Sequence, residues 1–135
     1  MKHYFLLLLI FSLTGLFEVA AQDQDDWVAP AEADALENPF AHDDEAALEK
    51  GREIYGMLCE LCHGDRGDGT GAAGQAWDPP PADFTSEEVQ SQSDGALYWK
   101  VSEGNPPAML TYKNMLSEEE WWQVVTWLRQ FRQEQ

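Results

Sequence analysis

The sequence predicts an all-α fold of three to four short helices joined by loops. Two stretches carry apolar residues at helical spacing, each with its own start signal, and the segment between them is punctuated by glycine and proline with no alternating strand pattern. The clearest element is C-terminal. Ser117 stands as N-cap with Glu120 three residues on, a capping box, and Leu116 with Trp121 makes the matching hydrophobic staple. Trp121, Val124, Val125, Leu128 and Phe131 then repeat on one face, with Trp127 flanking it.

An earlier helix is predicted from about Glu45 to Leu58, starting at Asp43 or Asp44 and presenting Ala47, Gly51, Ile54 and Leu58 on one face. Gly51 and Gly56 each cost about 1 kcal/mol relative to Ala inside a helix. Close approach of the Trp-rich final helix is the expected compensation. A short helix from about Asp94 to Glu103 ends at Gly104, with Leu97 and Val101 inward. Between His63 and Asp94 little regular structure is expected.

The chain has 135 residues with 25 acids and 8 bases, a formal charge of −17. A nucleic-acid binder needs a basic stripe to displace counterions, and here the cations are scattered singly. Anionic membrane surfaces are disfavoured by the same sign. With 44% apolar residues and six Trp, the composition suits one small domain.

Lys2 precedes an apolar run from Tyr4 to Phe17, and Val19-Ala20-Ala21 offers small residues for processing, so residues 1–21 read as a secretory signal peptide. A run of about 14 residues is short of the ~20 that a membrane-spanning helix needs, which argues against stable membrane insertion. No cysteine lies near the junction to carry a lipid. Residues 22–43, rich in Asp, Glu and Ala and interrupted by Pro30 and Pro39, read as an acidic flexible lead-in, with Trp27 and Phe40 as docking candidates. Residues 44–135 form the domain.

Cys59-Glu60-Leu61-Cys62-His63 carries the chemistry. At this chain's own Cys and His usage, Cys-x-x-Cys-His arises by chance about 6 times in 10,000, too rarely for coincidence. Two thiols three residues apart can each add to one vinyl group of a haem, and the next residue can present its imidazole to the iron. Three other chemistries use such a pair. A zinc site wants four ligands, and beyond these three only His42 follows the signal. A thioredoxin-like dithiol wants a helix N-terminus after a strand, whereas this pair ends a helix. A disulfide between the two would be a strained short loop.

At these residues the sequence resembles the class I c-type cytochromes, small single-haem bacterial electron carriers. The resemblance covers about residues 45–133 and rests on Gly51, Tyr55, Cys59, Cys62, His63-Gly64, Gly67-Asp68-Gly69, the stretch Pro79 to Phe84, and the run from Met109 to Phe131. It implies a cytochrome c fold wrapped around one covalently bound haem c. Thioethers would form at Cys59 and Cys62, with His63 as proximal iron ligand and a downstream methionine as distal ligand. One departure is Leu110, where proline commonly follows the distal methionine.

Met1 leaves with the signal, and Met57 lies on the attachment helix itself, unable to reach the opposite face of the iron. Met109 follows Pro106 and Pro107, which stiffen the approach and hold it extended, out of helix. Met115 lies two residues before the Ser117 cap. Met109 is therefore the expected distal ligand, with Met115 next and an open or His42-ligated iron last. One carbonyl of Pro79 to Pro81 is expected to accept the His63 ring N–H. Arg66 and Lys113 are candidates to face haem propionates, and Tyr98 or Trp99 to reach the haem edge.

His and Met ligation leaves no vacant position for substrate. The expected function is a periplasmic one-electron carrier, not an enzyme, working as a monomer between larger periplasmic redox proteins with basic docking faces: a dehydrogenase donor and an oxidase or reductase acceptor. Two alternatives stand beside it. One is a haem-binding subunit of an alcohol dehydrogenase or terminal oxidase complex, to which residues 38–51 and the Pro-Ala-Asp-Phe stretch are similar. The other is a haem enzyme or gas-binding protein with a labile sixth ligand, kept open by Leu110.

Overall fold

The computed structural model describes residues 27–132. The proposed signal peptide, residues 22–26 of the lead-in and residues 133–135 lie outside them. Six helical segments follow in order: α1 (Ala31–Asp34), α2 (Glu45–Leu58), α3 (Glu60–His63), α4 (Glu87–Gln90), α5 (Asp94–Glu103) and α6 (Glu118–Leu128), with 3-10 turns at Gly74–Ala76 and Arg129–Phe131. No strand occurs among the described residues beyond one isolated bridge between Asn105 and Met109. The fold is all-α, as the patterning predicts.

Local signals set the helix limits. Asp44 accepts from the Ala47 amide at 2.9 Å and opens α2, so of the two candidate acids it is Asp44 that caps. Ser93 does the same for α5 through the Ala96 amide at 3.0 Å. At α6 both halves of the capping box form: the Ser117 hydroxyl accepts from the Glu120 amide, and the Glu120 carboxylate accepts from the Ser117 amide at 2.9 Å.

Helices α2 and α6 cross in close contact and build the core. Ile54, Val124, Val125 and Leu128 are at most 1% exposed, and Tyr55, Trp121 and Trp122 join them. Gly51 makes this crossing possible. A Cβ placed there would lie 2.1 Å from the Gln123 carbonyl oxygen and 2.9 Å from the Trp127 Cβ, so only a residue without a side chain lets the two backbones meet. Gly56 has no such role: a Cβ there would meet only the Glu60 carboxylate, at 3.6 Å.

Residues 27–43 correct the expectation of a flexible lead-in. Pro30, expected to interrupt helix, caps one instead, its carbonyl accepting from the Ala33 and Asp34 amides at 2.9 Å. Ala33 is buried against Gly95 of α5, where an added Cβ would lie 2.1 Å from the Ala33 oxygen. Asn38 donates to Thr126 of α6 at 3.1 Å, and Phe40 packs against the core. The acidic composition is real, but apolar and hydrogen-bonded anchors interleave with it and hold the segment down.

A buried arginine organises the opposite corner. Arg129, at 7% side-chain exposure, donates to the Gln90 carbonyl at 3.1 Å, the Gln92 carbonyl at 2.6 Å and the Asp94 carboxylate at 2.7 Å. Gln90, itself buried, donates to the carbonyls of Phe84 and Leu128. Helix α4 exists within a segment expected to lack regular structure, because the Ser86 hydroxyl caps it and this network fixes its end.

Candidate haem site

The two thiols and the imidazole radiate from one hydrogen-bonded turn. The Cys59 carbonyl at the end of α2 accepts from the amides of both Cys62, at 3.1 Å, and His63, at 2.9 Å. Gly64, at φ +84°, then turns the chain out of the helical path. The buried Tyr55 hydroxyl donates to the Gly64 carbonyl at 2.5 Å and ties the turn back to α2.

His63 is fixed on two sides. Its Nδ1–H donates to the Ala82 carbonyl at 3.1 Å, and its ring stacks on buried Phe84 with centroids 4.4 Å apart and planes 16° from parallel. The bond settles the tautomer: Nδ1 carries the proton, and Nε2 keeps its lone pair for a metal. Burial lowers the His63 pKa and the Ala82 bond only partly offsets it, which favours the neutral, ligating form of the ring. The accepting carbonyl is one residue beyond the expected Pro79 to Pro81. The Phe84 amide, bonded to the Gly67 carbonyl at 2.6 Å, anchors this stretch two residues after Ala82.

Both cysteines are free thiols. Burial pushes Cys59 up to about 12, with Cys62 adding to the shift. A dithiol oxidoreductase needs the reverse, a thiolate stabilised near neutral pH. Among the described residues no group of three or more His, Cys, Asp or Glu side chains is placed to hold a metal ion, which removes the basis for a closed zinc site. Two free thiols one turn apart, beside an imidazole whose Nδ1–H is taken by Ala82 and whose Nε2 keeps its lone pair, fit a haem tethered at Cys59 and Cys62 and ligated by His63.

The methionines differ in setting. Met109 is half-buried and packs against the core, whereas Met57 and Met115 are 63% and 64% exposed. The approach to Met109 is a closed loop, not the extended run expected. Asn105 and Met109 exchange both backbone hydrogen bonds, at 2.9 and 3.0 Å, and Gly104 at φ +70° lets the two arms meet. His42 is engaged elsewhere, its Nε2 lying 2.8 Å from the Asp94 carboxylate.

Four side chains expected near a haem have partners within the chain. Arg66 pairs with Asp68 at 2.9 Å and Lys113 with Glu103, Tyr98 stacks on Trp122 at 4.2 Å, and Trp99 lies 6.4 Å from Trp27. Sequence reasoning missed Ala82 as the His63 acceptor and Phe84 as its stacking partner. Both lie in the Pro79 to Phe84 stretch already singled out, but no spacing rule assigns a carbonyl nineteen residues away.

Among solved structures, a chain of the Kuenenia stuttgartiensis reducing HAO-like protein complex Kustc0457/Kustc0458 is similar at a TM-score of 0.55 and 29% identity, over 62% of this chain and 42% of that one. The match thus spans less than half of that chain's length. The KustC0563 c-type cytochrome is 30% identical over 62% of this chain and 98% of its own, with a TM-score of 0.47. No curated protein matches. The family model described as "Cytochrome C oxidase, cbb3-type, subunit III" matches residues 46–128, from the first turn of α2 to the end of α6 with the whole attachment turn between; the chain belongs to that family and is a c-type cytochrome, with haem as its cofactor.

Proposed function

We propose that the chain is a periplasmic one-electron carrier holding a single haem c, bound covalently through Cys59 and Cys62 and ligated by His63 and Met109. The observation that carries this reading is the attachment turn: both thiols are free, and the His63 Nδ1–H is spent on Ala82, which leaves the Nε2 lone pair unprotonated. Met109 is the methionine that packs into the core, which supports it over Met115. The haem iron supplies a reversible one-electron couple, whose potential His and Met ligation raises relative to two nitrogen ligands or a thiolate.

The chain's own residues bind, orient and shield. Ala82 and Phe84 hold the imidazole plane, and the closed loop from Gly104 to Met109 presents a thioether with little freedom to leave. The formal charge of −17 steers the protein toward basic docking faces on a dehydrogenase donor and an oxidase or reductase acceptor, with association weakening as salt rises. Residues 1–21 direct export, and no helix among the described residues is long and apolar enough to cross a membrane.

The test is a mass and a spectrum. The exported protein should weigh one haem more than the polypeptide from Gln22 to Gln135, and its ferric form should show the weak far-red band of sulfur ligation. Met109→Ala should abolish that band and Met115→Ala keep it. A mass equal to the bare polypeptide refutes the reading. A second reading, a subunit of a larger redox assembly, is favoured by the family's printed description as an oxidase subunit and by the similarity to a chain of a multi-protein complex. Co-purification of one stoichiometric partner at high salt would select it.

A further inference from the structure

We propose that residues 27–43 are a strap that positions the distal-ligand loop, so that the grip of Met109 on the sixth coordination position is set from the far side of α5. The inference rests on the Met109 reading above. Helices α2 and α6 form the fixed base of the fold, and α5 is held between α6 and the strap. On the α5 side, Ser93 donates to Asp34 at 2.7 and 2.9 Å, the Ala33 and Leu36 backbones lie against Gly95, and the Lys100 ammonium sits 5.2 Å from the Trp27 ring centre. On the α6 side, Asn38 bonds to Thr126, which is fully buried, and Gln130 donates to the His42 carbonyl at 2.8 Å. The strap therefore stitches α5 to the base along a face remote in sequence from either.

Both arms of the Met109 loop are fastened to the last turn of α5. A Cβ at Gly104 would lie 2.5 Å from the Leu110 oxygen and 2.9 Å from the Met109 oxygen, so the outgoing and returning chains touch there. Thr111 donates to the Ser102 carbonyl at 3.3 Å, and Lys113 pairs with Glu103. A loop fastened in this way moves with α5. Any freedom that α5 gains when the strap loosens is passed to the thioether, a weak ligand whose hold depends on a rigid approach. Trp27 and Asn38 are positioning residues, acting on the ligand through α5.

The experiment uses the full-length ferric holoprotein and imidazole as the probe, since imidazole enters the sixth position only when the native ligand has left. Asn38→Ala, Trp27→Ala and Gly95→Val each disturb the strap without touching the loop. Each should bind imidazole about tenfold more tightly than wild type, or more, while keeping the far-red band in its absence. Asp44→Ala, which removes the α2 cap and leaves the strap and loop alone, should stay within about twofold of wild type. Asn38→Ala is mild enough to fold even where Gly95→Val does not. Wild-type imidazole affinity in the strap variants overturns the proposal, as does an Asp44→Ala effect equal to theirs. A wild type lacking the far-red band overturns the Met109 reading first, and the strap's role with it.

Discussion

Replacing Gly51 with alanine tests the α2–α6 crossing directly. The new Cβ would begin 2.1 Å from the Gln123 oxygen, 2.7 Å from its carbon and 2.9 Å from the Trp127 Cβ. Carbon and oxygen settle at about 3.3 Å, so the helices must part by about 1.2 Å. A gap of that order forfeits a quarter to a half of the dispersion energy of the contacts it opens, and Ile54, Val124, Val125 and Leu128 all lie in that contact. Overpacking typically costs about 1–3 kcal/mol, and backbone obstruction puts this site at or above the upper end. Alanine returns about 1 kcal/mol of helix propensity. The net expectation is a loss of about 2 kcal/mol, or roughly 10 °C in Tm for a domain of this size. Thermal and denaturant unfolding of the holoprotein measure it. Gly56→Ala is the internal control. Its Cβ meets only a mobile carboxylate at 3.6 Å, so it should stabilise by about 0.5–1 kcal/mol. If both substitutions move the midpoint in the same direction, the argument from close approach is wrong.

Three further expectations concern polar anchors. Burial raises the Asp94 carboxyl, but hydrogen bonds from His42 and Arg129 and the Arg129 charge outweigh it and leave the pKa below the ordinary value, so its stabilisation is complete above about pH 4 and lost as pH falls through the lowered value. Asp94→Asn should cost about 3 kcal/mol at pH 7 by stranding a buried guanidinium, and should flatten the acid limb of a stability-against-pH curve; an unchanged limb would refute the assignment. Tyr55→Phe removes the shorter of two bonds to the Gly64 carbonyl, leaving the Gly67 amide at 3.2 Å, and should destabilise by about 1 kcal/mol in denaturant unfolding, with the visible spectrum unchanged. Ser117→Ala removes half of the capping box and should cost about 1 kcal/mol, read as a shifted denaturation midpoint with an unaltered slope.

What the sequence makes legible is what neighbouring residues decide. Helices α2, α5 and α6 start at a side chain that caps its own third amide, a signal contained in four residues, and the attachment motif spans five. The docking of residues 27–43 depends instead on Ala33 meeting Gly95 and on Asn38 meeting Thr126, 88 positions away, and no periodicity encodes such meetings. High acidity made the segment resemble a solvated tail because composition counts charges and is blind to the few anchors between them. The Met109 loop departs from the expected extended run for a related reason. Two prolines restrict the chain locally, but it is the Asn105–Met109 pairing that closes it.

Arg129 also bears on how the fold fails. One guanidinium serves the end of α4, the linker after it and the first residue of α5, and Arg132 reaches the same Gln90 carbonyl. Two of those acceptors are main-chain oxygens that no substitution deletes, and the third is the Asp94 carboxylate, so side-chain damage enters through Arg129 or Asp94. A single base change that turns this codon into one for a neutral residue would release three neighbouring segments together, at a place that hydropathy scores as surface. Neutral substitutions at Arg129 should therefore be tolerated as poorly as cavities in the apolar interior.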